Sequence, residues 1–418
     1  MDRRHFLKYL SLAGLSFAVP SFPLPSRASG VPHPGPYWIT INAAGGWDPS
    51  ILCDPKGMTS ANDPTPVNHY LQSEILEVGA FRCAPLEGNL EFFTRFANDL
   101  MIINGIDNGT NSHSVGTRHT WSGSMDPGGP SFAALVASTA ETIPSLPYIT
   151  NGGYGHTASL VVPTRIPNMD AIEAIAYPNY ITPNNPDTGV FTEETWNRIQ
   201  EARRARALRL QANQPLPPLQ RAVENFAAAQ SSDNELITLL TYLPDTLDNS
   251  TNPLLRQAQL ALSSFKAGLT VSADLQVGGF DTHGNHDVTH PPRMLQILSA
   301  ITFIMDEAEA HGIADKLYIL VGSDMSRTPY YNDTNGKDHW SVGSMMLMGP
   351  GIPGGRVIGG TDATQRALTV SPTSLEFDPD GIRLTPGHVH ASLRSLAGIA
   401  EHPNSIPFAV SDLLPLFT

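Results

Sequence analysis

The sequence predicts an α/β fold, a mainly parallel sheet flanked by helices, from three observations. Five short apolar runs are each bounded by glycine or polar turns, as buried strands are. Between two of them lies an apolar stripe at helical spacing, and strand, helix, strand in that order implies parallel pairing. With 36 prolines and 35 glycines the chain must be loop-rich, which suits long functional loops on a sheet scaffold.

The chain opens with Asp2-Arg3-Arg4-His5-Phe6-Leu7-Lys8, a weakly apolar run to Val19, and the small-residue end Ser26-Arg27-Ala28. These three parts together read as a twin-arginine signal peptide over residues 1–28, a targeting segment and not a structural one. The mature protein is then expected to begin near Ser29, to pass the twin-arginine export machinery already folded, and to be periplasmic or secreted. Asp2 departs from that signal, which usually has Ser or Thr there. No later stretch reaches the roughly 18 apolar residues that a membrane span needs.

Strands are expected at 37–43, 100–104, 271–277, 317–322 and 344–348. Ahead of the last two, residues 294–311 place Ile297, Ile301, Ile304 and Ala308 on one helix face, and His311-Gly312 closes the helix. A charged helix over 192–214 stops at the Pro215, Pro217, Pro218 cluster, and a second helical stretch is expected over 219–243. We read about 190–265 as a helical insertion on one domain, 29–418, with Arg203, Arg204 and Arg206 on a solvated face.

The net charge of −14 excludes the basic patch that nucleic acid or an anionic membrane surface would require. Cys53 and Cys83 are few for an exported chain and match no metal motif; one disulfide and two buried thiols are both open.

Ligands of open parallel sheets bind where strand-following loops converge, so polar residues directly after strands are the candidates. After the first strand, Gly45-Gly46-Trp47-Asp48 lets a carboxylate point into a cleft or merely cap a turn. After the second come Asn111-Ser112-His113 and Arg118; a hydroxyl opening a helix is either a cap or an activated nucleophile. The third strand ends in Gly279-Phe280-Asp281-Thr282-His283, with His286 and Asp287 close behind. Asp-x-His sets an oxygen and a nitrogen on the same side of an extended segment, as a divalent cation needs. The fourth ends in Ser323-Asp324-Met325-Ser326-Arg327-Thr328, and Gly336-Lys337-Asp338-His339 precedes the fifth. His388 and His390 are the alternative late histidines.

At these residues the chain resembles an exported bacterial family, the domain of unknown function 1501, among relatives of the alkaline phosphatase and sulfatase superfamily. The resemblance covers most of the mature chain and implies an alkaline-phosphatase-like fold. It implies a two-metal plan in which Asp48 and Asp324 hold the ion nearest Ser112, the nucleophile, while Asp281, His283 and His339, with Asp338, hold the other. It further implies zinc as the divalent ion, one or two per chain, and Arg118 or Arg327 as clamps on a small anionic substrate. The family's fourth motif usually reads Glu-Phe-Gly-Arg-Thr, so Asp324-Met325-Ser326 departs from it. Met325 also stands where the superfamily often has histidine, and a thioether is a poor ligand for a hard divalent ion. The expected function is hydrolysis of phosphate or sulfate esters. The competing expectation is a non-catalytic periplasmic or surface protein that keeps the fold and one structural ion.

Overall fold

The computed structural model describes residues 32–418 apart from 167, 184, 214–218, 220–222, 224–232 and 409. The twin-arginine signal, with Arg3, Arg4 and the Ala28 end, lies outside the described residues, as do Pro215, Pro217, Pro218 and, of the helix expected over 219–243, residues 220–222 and 224–232.

In chain order the strands are β1 (Tyr37–Ala43), β2 (Leu76–Val78), β3 (Phe81–Cys83), β4 (Leu100–Asp107), β5 (Tyr148–Thr150), β6 (Pro163–Thr164), β7 (Ser272–Val277), β8 (Leu317–Ser323), β9 (Ser326–Arg327), β10 (His339–Trp340), β11 (Val342–Met348) and β12 (Arg356–Gly359). Eight of them form one sheet in the order β12-β4-β11-β8-β1-β7-β5-β6. Every pair is parallel except those made by β11, which runs against both β8 and β4. The reason is the connection: from β8 the chain folds back through the β9–β10 hairpin, without the crossover that a parallel return requires. All five expected strands are present, and β5, β6 and β12 extend the sheet.

The helices are α1 (Asn89–Arg95), α2 (His113–Ser122), α3 (Phe132–Ser138), α4 (Met169–Ala176), α5 (Glu193–Ala212), α6 (Asp233–Leu240), α7 (Pro253–Lys266), α8 (His286–His311) and α9 (Pro386–Leu396). Side chains alternate across a strand, so each central strand feeds two cores. Ile39, Ile41, Ile319 and Val321 meet Phe92 of α1, Leu262 and Phe265 of α7, and Ile297, Ile301 and Ile304 of α8. Trp38, Leu320, Ile103 and Leu347 meet Trp121 of α2, Phe132 and Leu135 of α3, and Val389 and Leu393 of α9. Helices on both faces explain why these strands read as continuous apolar runs.

Helix α8 starts eight residues earlier than its apolar stripe announces and carries Pro291 and Pro292 within its second turn. Helices α4 and α6 pack with Leu243, Leu269 and Leu260 of α7 in a separate cluster, while Leu254, Leu262 and Phe265 of α7 join the main core. Arg203 on α5 lies over the Trp196 ring of the same helix. Cys53 and Cys83 are free, buried thiols. Among the described residues no helix is long and apolar enough to cross a membrane.

β1, β7 and β8 lie side by side in parallel, so the segments that follow them leave the same edge of the sheet. These segments carry Asp48, Asp281 with His283, and Asp324 with Arg327.

Candidate metal centre

The edge loops are locked together by backbone that tolerates no side chain. Gly45 sits at φ +115°, and a Cβ there would lie 2.5 Å from the Asp281 nitrogen. Gly46 sits at φ +82°, with the Arg327 guanidinium 2.8 Å from where its Cβ would be. Asp324, almost fully buried, accepts from the Gly45 amide at 3.0 Å, the Gly46 amide at 2.7 Å and the Ser323 hydroxyl at 2.9 Å, all on one oxygen. Its other oxygen faces His113 Nδ1 at 2.5 Å.

His113 opens helix α2, directly after Ser112, and α2 packs tightly on the β8 end. A Cβ at Gly116 would fall 2.0 Å from the Asp324 carbonyl, and Asn108 and Thr120 donate to the Asp324 and Ser323 carbonyls. The ring of His113 is thereby aimed at Asp281 and His339, and the three offer donor atoms that all lie within 4.8 Å of one another. His113 Nε2 lies 3.5 Å from Asp281 Oδ2 but is buried with no hydrogen-bond partner. His339 Nε2 stands 3.2 Å and His283 Nε2 2.9 Å from Asp281 Oδ1, and the two nitrogens are 3.0 Å apart.

The outward nitrogens decide the chemistry. His113 Nδ1 faces the Asp324 carboxylate, His283 Nδ1 faces the Asp338 carboxylate at 2.6 Å, and His339 Nδ1 faces the Asn111 carbonyl at 2.9 Å. Each of these oxygens only accepts, so each Nδ1 must donate. In the neutral rings the proton is then on Nδ1 and all three Nε2 atoms present lone pairs. Three lone pairs then converge on the Asp281 carboxylate, whose Oδ1 already accepts from Arg327 at 2.8 Å, and the three ring nitrogens repel one another and the carboxylate unless a further cation sits among them. Ring nitrogens bound by carboxylates on the far side are the usual supports of metal-ligating histidine. Ligands at about 2.05 Å from a tetrahedral ion stand roughly 3.3 Å apart. The spacings from Asp281 to the three imidazoles, 2.9 to 3.5 Å, lie near that value, and His113, Asp281 and His339, whose donor atoms are all within 4.8 Å of one another, are the group that could hold a divalent ion.

Of the expected site residues, Asp281, His283 and His339 come together here. Asp338 backs His283, which holds its carboxyl below the ordinary range. Asp324 supports His113 and the glycine loop. Arg327 is fully buried and spends its donors on the Gly45, Gly46 and Lys337 carbonyls and, at 2.8 Å, on Asp281 Oδ1. Burial works to raise the Asp281 pKa, but Arg327 and the histidines bring it below the usual value. Arg327 therefore positions Asp281. Arg118 points elsewhere: its guanidinium is close enough to Tyr154 to oppose the rise that burial gives that phenol. Ser112 is exposed, makes no capping bond, and has Ser114 Oγ at 3.4 Å as its hydroxyl partner. It stands between Asn111 and His113, both of which touch the cluster.

Asp48 is not brought to this cluster. It is wholly buried, with Lys337 Nζ at 2.6 Å and the Ser50 amide and hydroxyl at 2.9 and 2.5 Å. Desolvation opposes its ionisation, yet the Lys337 ammonium and His286 hold its pKa well below the carboxylate range. His388 and His390 also lie apart. His388 contacts Thr385, and His390 is buried against the Thr120 carbonyl, with its pKa lowered to about 3 by that burial.

The sequence reading passed over His113, Lys337, His286 and His290 as actors. His113 and Lys337 sit inside motifs already singled out, next to the residues chosen. His286 and His290 are four apart, the spacing that stacks side chains on one helix face, and that was the available signal.

No curated protein matches this chain. Among solved structures it is similar to a sulfatase candidate from Bacteroides thetaiotaomicron, at 10% identity and TM-score 0.37, covering 88% of this chain and 72% of that one. It is similar to the phosphonate monoester hydrolase of Agrobacterium radiobacter, at 11% identity and TM-score 0.36, covering 87% and 74%. It is also similar to the alkaline phosphatase of the Antarctic bacterium TAB5, at 10% identity and TM-score 0.34, covering 77% and 94%. These likenesses are distant, and the chemistry argued for the site rests on this chain's own side chains. The family model described as a protein of unknown function, DUF1501, matches residues 38–377, and the chain belongs to that family.

Proposed function

We propose that this chain is an exported, metal-dependent hydrolase of phosphate or sulfate esters. The observation that supports it is the convergence of His113, Asp281, His283 and His339, their outer nitrogens held by Asp324, Asp338 and the Asn111 carbonyl, beside the exposed Ser112. Imidazoles with one carboxylate suit zinc, and a single cluster of this kind among the described residues favours one ion per chain. When bound, the ion would neutralise charge developing on the transferred group and lower the pKa of a coordinated hydroxyl. Ser112 supplies the nucleophile, free of capping duty at the mouth of α2. Arg327 and Asp324 fix the first ligands, which limits reorganisation during the reaction.

A periplasmic or secreted location follows from Arg3-Arg4 and the segment to Ala28. Replacing both arginines by lysine should leave full-length precursor in the cytoplasm, seen by blotting cell fractions; normal export and processing would end the routing claim.

A non-catalytic protein with one structural ion is the second reading, favoured by the commitment of Arg327 to internal oxygens. A screen of phosphate and sulfate monoesters separates the two. Metal-dependent turnover should appear and should vanish in Ser112→Ala while circular dichroism and metal content stay as in the parent. No turnover on either ester class by metal-replete protein, or full activity in the alanine variant, would favour the structural ion.

A further inference from the structure

A cleft of about 380 Å³ opens at the end of β7, lined by Asp248, Ser250, Pro253, Arg256, Gly278 and Arg293 among others. Gly278 begins the loop that delivers Asp281, and three residues of chain span at most about 11 Å. The cleft therefore lies within one sugar ring or two of the cluster.

Its walls are tied to one another before any ligand arrives. Gln257 of α7 brackets the end of β7, donating to the Gln276 carbonyl at 3.0 Å and accepting from its amide at 2.8 Å. Asn252 donates to the Gln296 carbonyl on α8 at 2.9 Å, and Gln296 donates back to the Thr251 carbonyl at 3.1 Å. Arg293 is steered over the loop by Gln296 Oε1 at 3.0 Å, and its Nε lies 2.7 Å from where a Gly279 Cβ would be.

The cleft carries two arginines and one acid in a chain of net charge −14. Among the described residues, arginine ion pairs form at Arg82, Arg95, Arg327 and Arg383, and none at Arg256 or Arg293. The one acid of the lining, Asp248, is engaged by the Ser250 amide at 3.0 Å and hydroxyl at 2.6 Å. Two guanidiniums without a carboxylate partner thus face one pre-formed cleft in a protein of net charge −14. Planar guanidinium forks are suited to carboxylate, sulfate and phosphate oxygens.

We infer that Arg256 and Arg293 form an anion subsite, so that the substrate is an ester whose alcohol half carries a second anionic group. The inference rests on the ester-hydrolase reading for the word substrate, but the subsite itself does not need turnover. Its ligand is held while the first anionic group is at the metal centre, and singly charged esters engage only that centre.

The test is titration calorimetry of inorganic sulfate into full-length protein stripped of metal with EDTA, at pH 8. One sulfate per chain should bind, and affinity should fall at least tenfold in Arg256→Gln/Arg293→Gln. Gly278→Leu is the independent variant: a Cβ there meets nothing within 4 Å and the residue is not at positive φ, so leucine fills the cleft without straining the loop. It should also abolish sulfate binding. Absence of sulfate binding in the parent, or unchanged affinity in both variants, would overturn the subsite. Retained binding with no ester turnover would instead tell against the hydrolase reading alone.

Discussion

Two clusters of acid and histidine lie at the same edge of the sheet, and they solve the problem of a buried carboxylate in opposite ways. In the inner one every acceptor meets a proton. His290 Nε2 accepts from the Asp48 amide at 3.0 Å, so its Nδ1 carries the proton and faces Thr282 Oγ1. Thr282 in turn donates to His286 Nδ1 at 2.7 Å, leaving the His286 proton on Nε2, 3.2 Å from Asp48 Oδ2. Lys337 closes the set, sharing its ammonium between Asp48 and Asn68 Oδ1 at 2.8 Å beneath the Tyr331 ring. Burial lowers the pKa of both histidines, in keeping with neutral rings. In the outer cluster the imidazole protons all point away, and Arg327 is the cation that reaches Asp281. The difference teaches that the inner site carries its own cation, whereas the outer one leaves three ring nitrogens that could hold one.

Removing Lys337 is the harshest way to break that comparison. Lys337→Met leaves Asp48 charged and buried without its partner, which should cost about 3–5 kcal/mol. The midpoint of urea unfolding reads it. The double variant Asp48→Asn/Lys337→Met should recover much of the loss, since neither charge then remains. A loss under about 1 kcal/mol in the single variant would mean that Lys337 is not the counter-ion.

A third carboxylate sharpens the contrast, because Asp274 in the middle of β7 is as deeply buried as Asp48 and has no cation. Its neighbours are hydroxyls, Thr40 at 2.7 Å and Tyr148, and burial pushes its pKa up to about 7 from a reference of 3.8. Between those values the folded state keeps a proton that the unfolded chain has released, so the contribution of Asp274 to folding stability is fully present below pH 3.8 and is lost as pH rises through 7. At 1.36 kcal/mol per unit the contribution of this one group approaches about 4 kcal/mol. Asp274→Asn should flatten that decline in urea-unfolding curves taken from pH 4 to 8. An unchanged slope would show that the proton is not held on Asp274.

Much of this architecture was written in the sequence. Continuous apolar runs announced β1, β4, β7, β8 and β11, because strands covered on both faces need apolar residues throughout. β5 and β12, at three and four residues, are too short for periodicity to declare, and Pro291-Pro292 disguised the start of α8. At the site, the strand-end rule found Asp281, His283, Asp324, Asp338 and His339, since it reports which loops converge. It does not report which of two adjacent side chains turns inward. His113, next to Ser112, reaches the cluster, and nothing local to Asp48 reveals that Lys337, 289 residues away, meets its carboxylate. Asp-x-His worked because side chains two apart on extended chain share a side.

The most direct test is the metal content of protein purified without chelator, measured by inductively coupled plasma mass spectrometry. The two-cluster account predicts one divalent ion per chain, lost from Asp281→Asn/His283→Ala and from His113→Ala/His339→Ala. It predicts that the ion, most readily zinc, is kept in the Ser112→Ala protein. Two ions per chain would mean that Lys337 does not replace a metal at Asp48; no ion, or an undiminished content in both double variants, would contradict the outer cluster as a metal centre.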